Sequence, residues 1–323
     1  MIVVWRITER CNLSCRFCAY DRELPRPRRD ADVPEVERVG RLLAEYQSAA
    51  GDPVLVSWLG GEPLLWPPLA KLTNLFVRDL RLRVSTTTNG TTLGSAPVRA
   101  HLLAHYTELT VSIDVPGEAH DQLRGWPGGF ARLRQSITQL AREKLEAGSP
   151  LKLRVNTVLM RSTIAGFPQL CDELAGWGMN EITFNQLGGR DRPEFFPANR
   201  LLPEQVGRFA AQLPELRAQL AARGVKLQGG DGYIARFRAS ASDQRLPVQD
   251  CHPGEQVLFI HEHGLVAPCH FTTGSYGVPL RELRSSDDLF SLRERFIASR
   301  HDQRDAACDD CHSTHVFEKF AAA

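Results

Sequence analysis

Apolar and polar residues alternate along this chain in two rhythms. Short runs rich in β-branched and aromatic residues recur at 2–7, 54–59, 82–88, 109–113, 151–160 and 181–187. Each has the length and composition of a strand. Between them lie longer segments whose apolar residues fall three or four apart, the helical period. Val39, Leu42, Leu43 and Tyr46 form one such stripe, opened by Asp32 as a helix N-cap and Pro34 in the first turn. Residues 69–80, 97–105, 130–146 and 167–177 form the others. Strands alternating with helices predict an α/β fold with a parallel sheet buried on both faces. Six βα units are too few to close an eight-stranded barrel, so a partial (β/α)6 TIM-type barrel is expected. In such folds the active site lies at the C-terminal ends of the strands.

Beyond residue 200 the rhythm changes. A long helix is expected over 202–223, after the polar link Gly188-Gly189-Arg190-Asp191-Arg192-Pro193. Residues 229–232 and 240–249 read as loops, and two short strands around His263-Gly264 read as a hairpin. The expected division is a barrel over 1–200, a helical linker over 201–228 and a small module over 229–323. That module has few apolar residues for a core, and small modules of that kind are often stapled by a metal. Phe195, Phe196, Arg190 and Arg192 fall on the mouth side of the barrel, where they either shape a polar pocket or cover the domain interface.

The formal net charge of +1 implies no general attraction to nucleic acid or membrane. No apolar run approaches the roughly 20 residues of a membrane span. The opening residues lack a signal peptide's basic and apolar regions, so a cytoplasmic protein is expected. In that setting its 8 cysteines point to metal or catalysis before disulfides.

Three cysteines, Cys11, Cys15 and Cys18, begin where the first strand stops. Three thiolates so close can hold one soft metal centre, zinc or an iron–sulfur cluster. Structural sites normally take four protein ligands, whereas three leave a position open for chemistry. The second strand ends in Gly60-Gly61-Glu62, whose glycines let the backbone approach a ligand closely. Asn89-Gly90 and Asp114 end the third and fourth strands and also suit plain turns. Cys251, Cys269, Cys308 and Cys311 form a second set, for which zinc and iron–sulfur are both open. Cys171 falls in a helical apolar stripe and is expected to be a buried, inert thiol. The histidines His261, His263, His270, His312 and His315 near the second set are expected to be solvated.

The spacing Cys11-x3-Cys15-x2-Cys18, with aromatic Phe17 before the third cysteine, resembles the cluster loop of the radical S-adenosylmethionine (SAM) superfamily. The resemblance implies a [4Fe-4S] cluster on these three residues, whose open iron chelates the methionine part of SAM. It implies that Gly60, Gly61 and Glu62 bind the amino group of that methionine. It makes Thr87, Asn89, Ser112 and Asn156 cofactor contacts, and Arg124 either a partner of the cofactor carboxylate or a salt-bridge residue. The run Asp114 to Gly125 is similar to one in the SPASM/twitch branch, with Val-Pro-Gly after the aspartate where the branch usually has Gly. Cys251, Cys269, Cys308 and Cys311 resemble the four ligands of a twitch-type auxiliary [4Fe-4S] cluster. Cys251 is a ligand in that reading; otherwise it is a hydrogen-atom donor to a substrate radical.

The activity so implied is reductive cleavage of SAM to a 5′-deoxyadenosyl radical, which takes hydrogen from an unactivated C–H bond. The electron comes from a donor such as flavodoxin or ferredoxin. The compact pattern resembles enzymes acting on aminocyclitols and aminoglycosides, such as 2-deoxy-scyllo-inosamine dehydrogenase, which implies epimerisation or dehydrogenation of a polar small molecule. It also resembles maturases of ribosomally made peptides. The first strand starts at the chain's beginning, so no fused leader-binding domain is expected, which favours the small molecule. A zinc-stapled binding protein is the alternative outside enzymes.

Overall fold

The computed structural model describes residues 1–320, so the last three residues of the expected small module lie outside it. The strands are β1 Ile2–Thr8, β2 Leu55–Gly60, β3 Arg83–Thr88, β4 Glu108–Ser112, β5 Lys152–Leu159, β6 Glu181–Gln186, β7 Lys226–Leu227, β8 Val257–His261, β9 Leu265–Ala267 and β10 Val278–Pro279. They form one sheet in the order β10-β9-β8-β1-β2-β3-β4-β5-β6-β7. All pairs from β8 through β1 to β7 are parallel; β9 and β10 add antiparallel at the edge. The parallel sheet with helical crossovers is the expected partial barrel. The C-terminal hairpin extends that same sheet, with β8 hydrogen-bonded along β1.

The helices are α1 Val33–Ala50, α2 Leu69–Asn74, α3 Ala96–His105, α4 Glu118–Arg124, α5 Gly129–Glu146, α6 Phe167–Ala175, α7 Phe196–Asn199, α8 Pro203–Ala221, α9 Asp231–Ala241, α10 Thr273–Tyr276 and α11 Ser286–Asp302. Asp32 caps α1 as expected, its side chain accepting the Glu35 N–H at 3.0 Å, and Gly51 ends it in the left-handed region. Residues 231–241 are helical, where loops were expected at 229–232 and from 240 and the stretch between them had no assignment. Tyr233, Ile234 and Phe237 give that segment an apolar face, and it docks on Phe184 of β6 together with Phe167 and Phe209. Three glycines in four positions mask this packing signal, because propensity yields to tertiary burial.

Strand alternation separates two surfaces. Val3, Trp5 and Ile7 of β1 and Val56 and Trp58 of β2 are buried against the helices. The opposite face carries Arg6, Ser57, Ser85, Thr87, Thr110 and Ser112, so the expectation of two apolar faces holds only outside the barrel. Trp5, Trp58 and Phe76 stack at 5.0–6.5 Å beneath α1. Gly40 of α1 lies over Phe76, where a Cβ would stand 2.5 Å from the ring. No helix among the described residues is long and apolar enough to cross a membrane.

An exposed helical Gly→Ala change is ordinarily favourable by about 1 kcal/mol. Gly40→Ala reverses the sign here, because the wedged Phe76 ring cannot move, and a loss of about 1–3 kcal/mol is expected. Chemical denaturation of wild type and variant checks it.

Candidate active site

The cysteine loop is held by the end of β2. Gly61 donates its N–H to the Thr8 carbonyl and Glu62 donates to the Arg10 carbonyl, both at 2.8 Å. A Cβ on Gly60 would lie 2.3 Å from the Thr8 oxygen, and one on Gly61 2.2 Å from the Arg10 oxygen. The glycines are therefore required by the loop's own backbone, whatever they offer a ligand. Asp30 adds a second hold, accepting from the Thr8 hydroxyl at 2.6 Å.

Glu62 is fully buried. Its carboxylate accepts from the Asn89 N–H at 2.6 Å, the Thr88 hydroxyl at 2.7 Å and the Leu64 N–H at 3.1 Å. Burial outweighs these three donors, which favour the carboxylate, and leaves its acid raised to about 7. It thus braces the ends of β2 and β3 against each other. Asn89, placed by that brace, donates to the Cys11 sulfur at 3.7 Å and to the Asn12 side chain at 2.9 Å.

The third hold comes from α4. Arg124 is buried, and its Nε and Nη2 both lie 2.7 Å from Asp114 Oδ2. Asp114, completely buried, also accepts the Val158 N–H at 2.9 Å. Of the two roles open to Arg124, the ion pair is the one its guanidinium makes here; burial works against its charge, and the Asp114 carboxylate outweighs that and keeps it charged. The same residue's carbonyl takes the Cys15 thiol at 3.9 Å, and its guanidinium stands 5.5 Å from the Phe17 ring. Gly125, in the left-handed region, approaches Ser14 so closely that a Cβ would sit 2.3 Å from its hydroxyl.

The three cysteines are brought together on this scaffold as free thiols. Burial pushes Cys15 up to about 12 and raises Cys11 and Cys18 as well, so these thiols stay neutral until positive charge arrives beside them. Among the described residues no three cysteines are gathered into a compact single-ion site. Tyr20 donates its N–H to the Cys18 sulfur at 3.4 Å, a bond of the kind that tunes cluster ligands.

Thr87 and Ser112 lie half-buried on the inner face, and Asn156 sits beside Ser112 in register, inside the barrel. Asn156 Oδ1 accepts from the Thr183 hydroxyl at 3.0 Å and from Lys319 Nζ at 2.8 Å. Lys319 was missed in the sequence: it belongs to no motif, and only the folded C-terminal segment carries it into the barrel. Burial, with Arg154 nearby, lowers its amine to about 7. Arg6 was also missed, although a lone charge in an apolar strand is a legible sign of an inner-face position.

Cys251, Cys269, Cys308 and Cys311 line one cavity with Pro268, Tyr276 and Arg300. Thr272 Oγ1 and Cys269 Sγ are 3.3 Å apart, and the Ser313 N–H reaches Cys311 Sγ at 3.4 Å. Burial pushes Cys251 up to about 11, and Arg300 opposes that shift. Cys171 is fully buried in α6, as expected. His270 is exposed, as expected, with one side of its ring near Phe259 and Phe271. Arg192 reaches back to the cysteine loop, 3.2 Å from Asp21, and Arg190 stacks on Phe271 at 4.6 Å.

A parallel partial barrel with a three-cysteine loop at the first strand's C-terminal end defines a class, and residues 5–174 match the profile of the Radical SAM superfamily. The chain belongs to that superfamily, and it uses a [4Fe-4S] cluster and SAM. The chain is 32% identical over 311 residues to the AdoMet-dependent heme synthase of Methanosarcina barkeri, covering 90% of this chain and 83% of that protein. It is 28% identical over 278 residues to the PqqA peptide cyclase of Gluconobacter oxydans, covering 84% and 70%. Among solved structures, SuiB of Streptococcus suis bound to S-adenosylmethionine superposes with a TM-score of 0.69 at 16% identity, covering 98% of this chain and 71% of that one. The cysteine-rich C-terminus fits an auxiliary cluster.

Glu62→Gln keeps the size but puts an amide donor against N–H or O–H donors. A stability loss of about 1–3 kcal/mol is expected, with weaker SAM binding by equilibrium dialysis and iron still bound. Lys319 is neutral when folded and charged when unfolded between pH 7 and its ordinary value near 10.5. The unfolded state then binds the extra proton, so stability rises with pH by up to about 1.4 kcal/mol per unit. Lys319→Met removes that slope, as anaerobic unfolding at pH 7, 8 and 9 will show.

Proposed function

We propose that this radical SAM enzyme modifies a peptide through a radical at an unactivated C–H bond. The observation that carries the reading is the recurrence of peptide-modifying enzymes among its relatives, PqqA peptide cyclases of two organisms and a sporulation killing factor maturation protein. A likeness of fold to SuiB, also solved with its precursor peptide SuiA, accords with it. The polar, half-open inner face of the barrel suits an extended, hydrogen-bonding substrate. The aminocyclitol or aminoglycoside substrate implied by the sequence resemblance has no counterpart among the relatives described above. A heme-type tetrapyrrole is the second reading, favoured by 32% identity across 90% of the chain.

Cys11, Cys15 and Cys18 would hold the cluster that binds SAM, and Cys251, Cys269, Cys308 and Cys311 the auxiliary one. When bound, the first cluster and SAM supply the hydrogen-abstracting radical, with electrons from a carrier of the flavodoxin or ferredoxin kind. Glu62 and Asn89 keep Cys11 oriented, and the Arg124–Asp114 pair keeps the Cys15 segment in place. Thr87, Ser112 and Asn156 stand on the inner face, where they orient SAM and the substrate. Gly60 and Gly61 give backbone access at the same rim. Cys251 lies among three other cysteines in one cavity, which supports a ligand in place of a hydrogen donor. A reducing, cytoplasmic setting accords with its free thiols.

The test is anaerobic turnover by reconstituted enzyme, read by mass spectrometry, with peptides encoded beside its gene or with an iron porphyrin bearing carboxylate side chains. Loss of hydrogen from a peptide supports the proposal; turnover of the porphyrin alone selects the second reading. Reconstituted wild type is expected to hold about eight irons, the sum of two four-iron clusters. Cys251→Ala should lower that count toward four and leave reductive formation of 5′-deoxyadenosine in place. An unchanged count with stalled turnover would make Cys251 the hydrogen donor.

A further inference from the structure

At the tip of the β8–β9 hairpin, and using no cysteine of either set, His261, Glu262 and His263 bring ligand atoms within 4.8 Å of one another. Glu262 Oε2 lies 3.3 Å from His261 Nδ1, and Glu262 Oε1 lies 3.9 Å from His263 Nε2. The Glu262 side chain is only 1% exposed, yet neither of its oxygens has a hydrogen-bond partner. A buried carboxylate without donors is costly and calls for a counterpart.

The neighbours balance its charge but give neither oxygen a well-placed donor. His261 Nδ1 accepts the His263 N–H in a long 3.3 Å bond, so that nitrogen has no proton to give the carboxylate 3.3 Å away, and a cation there would take over its lone pair. Arg6 Nε stands 3.6 Å from Oε2 but is itself unbonded, its guanidinium lying over Phe259 at 5.0 Å and Tyr20 at 5.4 Å. Glu9 also faces Glu262, but two carboxylates bond to each other only through a proton or a shared cation. Ligand atoms of two imidazoles and an unbonded carboxylate are therefore gathered within 4.8 Å, with no proton between His261 Nδ1 and Glu262. His263, 40% exposed, opens that cluster to solvent.

We propose that His261, Glu262 and His263 bind a borderline divalent cation of the zinc class. Two imidazoles and a carboxylate suit Zn²⁺, Ni²⁺ or Co²⁺. Arg6 and Arg26 already balance the charges of Glu262 and Glu9, so the cation is held by coordination to nitrogen and not by net charge. Mg²⁺ and Ca²⁺, which depend on oxygen ligands, are therefore rejected. The site would clip the hairpin that carries Cys269 to Glu9, two residues ahead of Cys11. The proposal is independent of what the enzyme modifies.

The probe is Zn²⁺ itself, titrated into holoenzyme whose cysteines are filled by iron–sulfur clusters, against a competing chelating indicator. One Zn²⁺ per chain is expected, with a zinc absorption edge showing nitrogen and oxygen neighbours and no sulfur at about 2.3 Å. His263→Ala, a change at a half-exposed side chain, should weaken binding about 100-fold with iron content unchanged. Zinc bound to sulfur, no zinc bound, equal binding of Mg²⁺, or unaltered affinity in the variant would each overturn the proposal. The edge spectrum of wild type decides the matter even if the variant folds poorly.

Discussion

The loop that carries Cys11, Cys15 and Cys18 has no regular structure of its own, and its shape is imposed by contact with strand ends. The governing contact is backbone to backbone. Thr8 and Arg10 offer carbonyls that Gly61 and Glu62 meet at 2.8 Å, and the approach leaves no room for a side chain at 60 or 61. Once this pairing is made, Glu62 is buried and must find donors. It finds them on Thr88 and Asn89, which fixes the end of β3. Asn89 then reaches Cys11. One steric constraint thus propagates across three strands to a sulfur atom.

Much of this was legible. Strand and helix periodicities gave six βα units, and the cysteine spacing gave the class of chemistry. Asp32 announced its cap, and Cys171 its burial, because those signals are local. What was hidden depended on distance in sequence. The inner face of the barrel reads as Ser and Thr scattered through apolar runs, so its polarity shows only once the strands are side by side. Lys319 meets Asn156 across 163 positions, with no local pattern at either end. The helix at 231–241 was obscured by glycines whose conformational cost is offset by burial of Tyr233 and Phe237.

Function was legible in the same uneven way. The chemistry of radical formation rests on residues with fixed spacing, so it shows in the sequence. The substrate is met by the inner face and the rim, built from positions on many strands. Arg190 and Arg192 show the difficulty: each is an ordinary arginine in a polar link, yet one stacks on Phe271 and the other reaches Asp21 beside the cluster loop.

The sheet order carries one more consequence, for the birth of the protein. β1 lies between β2 and β8, whose partners along it are Leu55 and Val257 for the same residue, Ile2. During synthesis β1 therefore keeps one edge unpaired until the chain has been made past residue 257. Exposed strand edges invite wrong pairings, and contacts this distant form slowly. Until then the nascent chain carries the future cluster loop on an unfinished edge strand, so protection of that edge favours a loop that can accept its cluster.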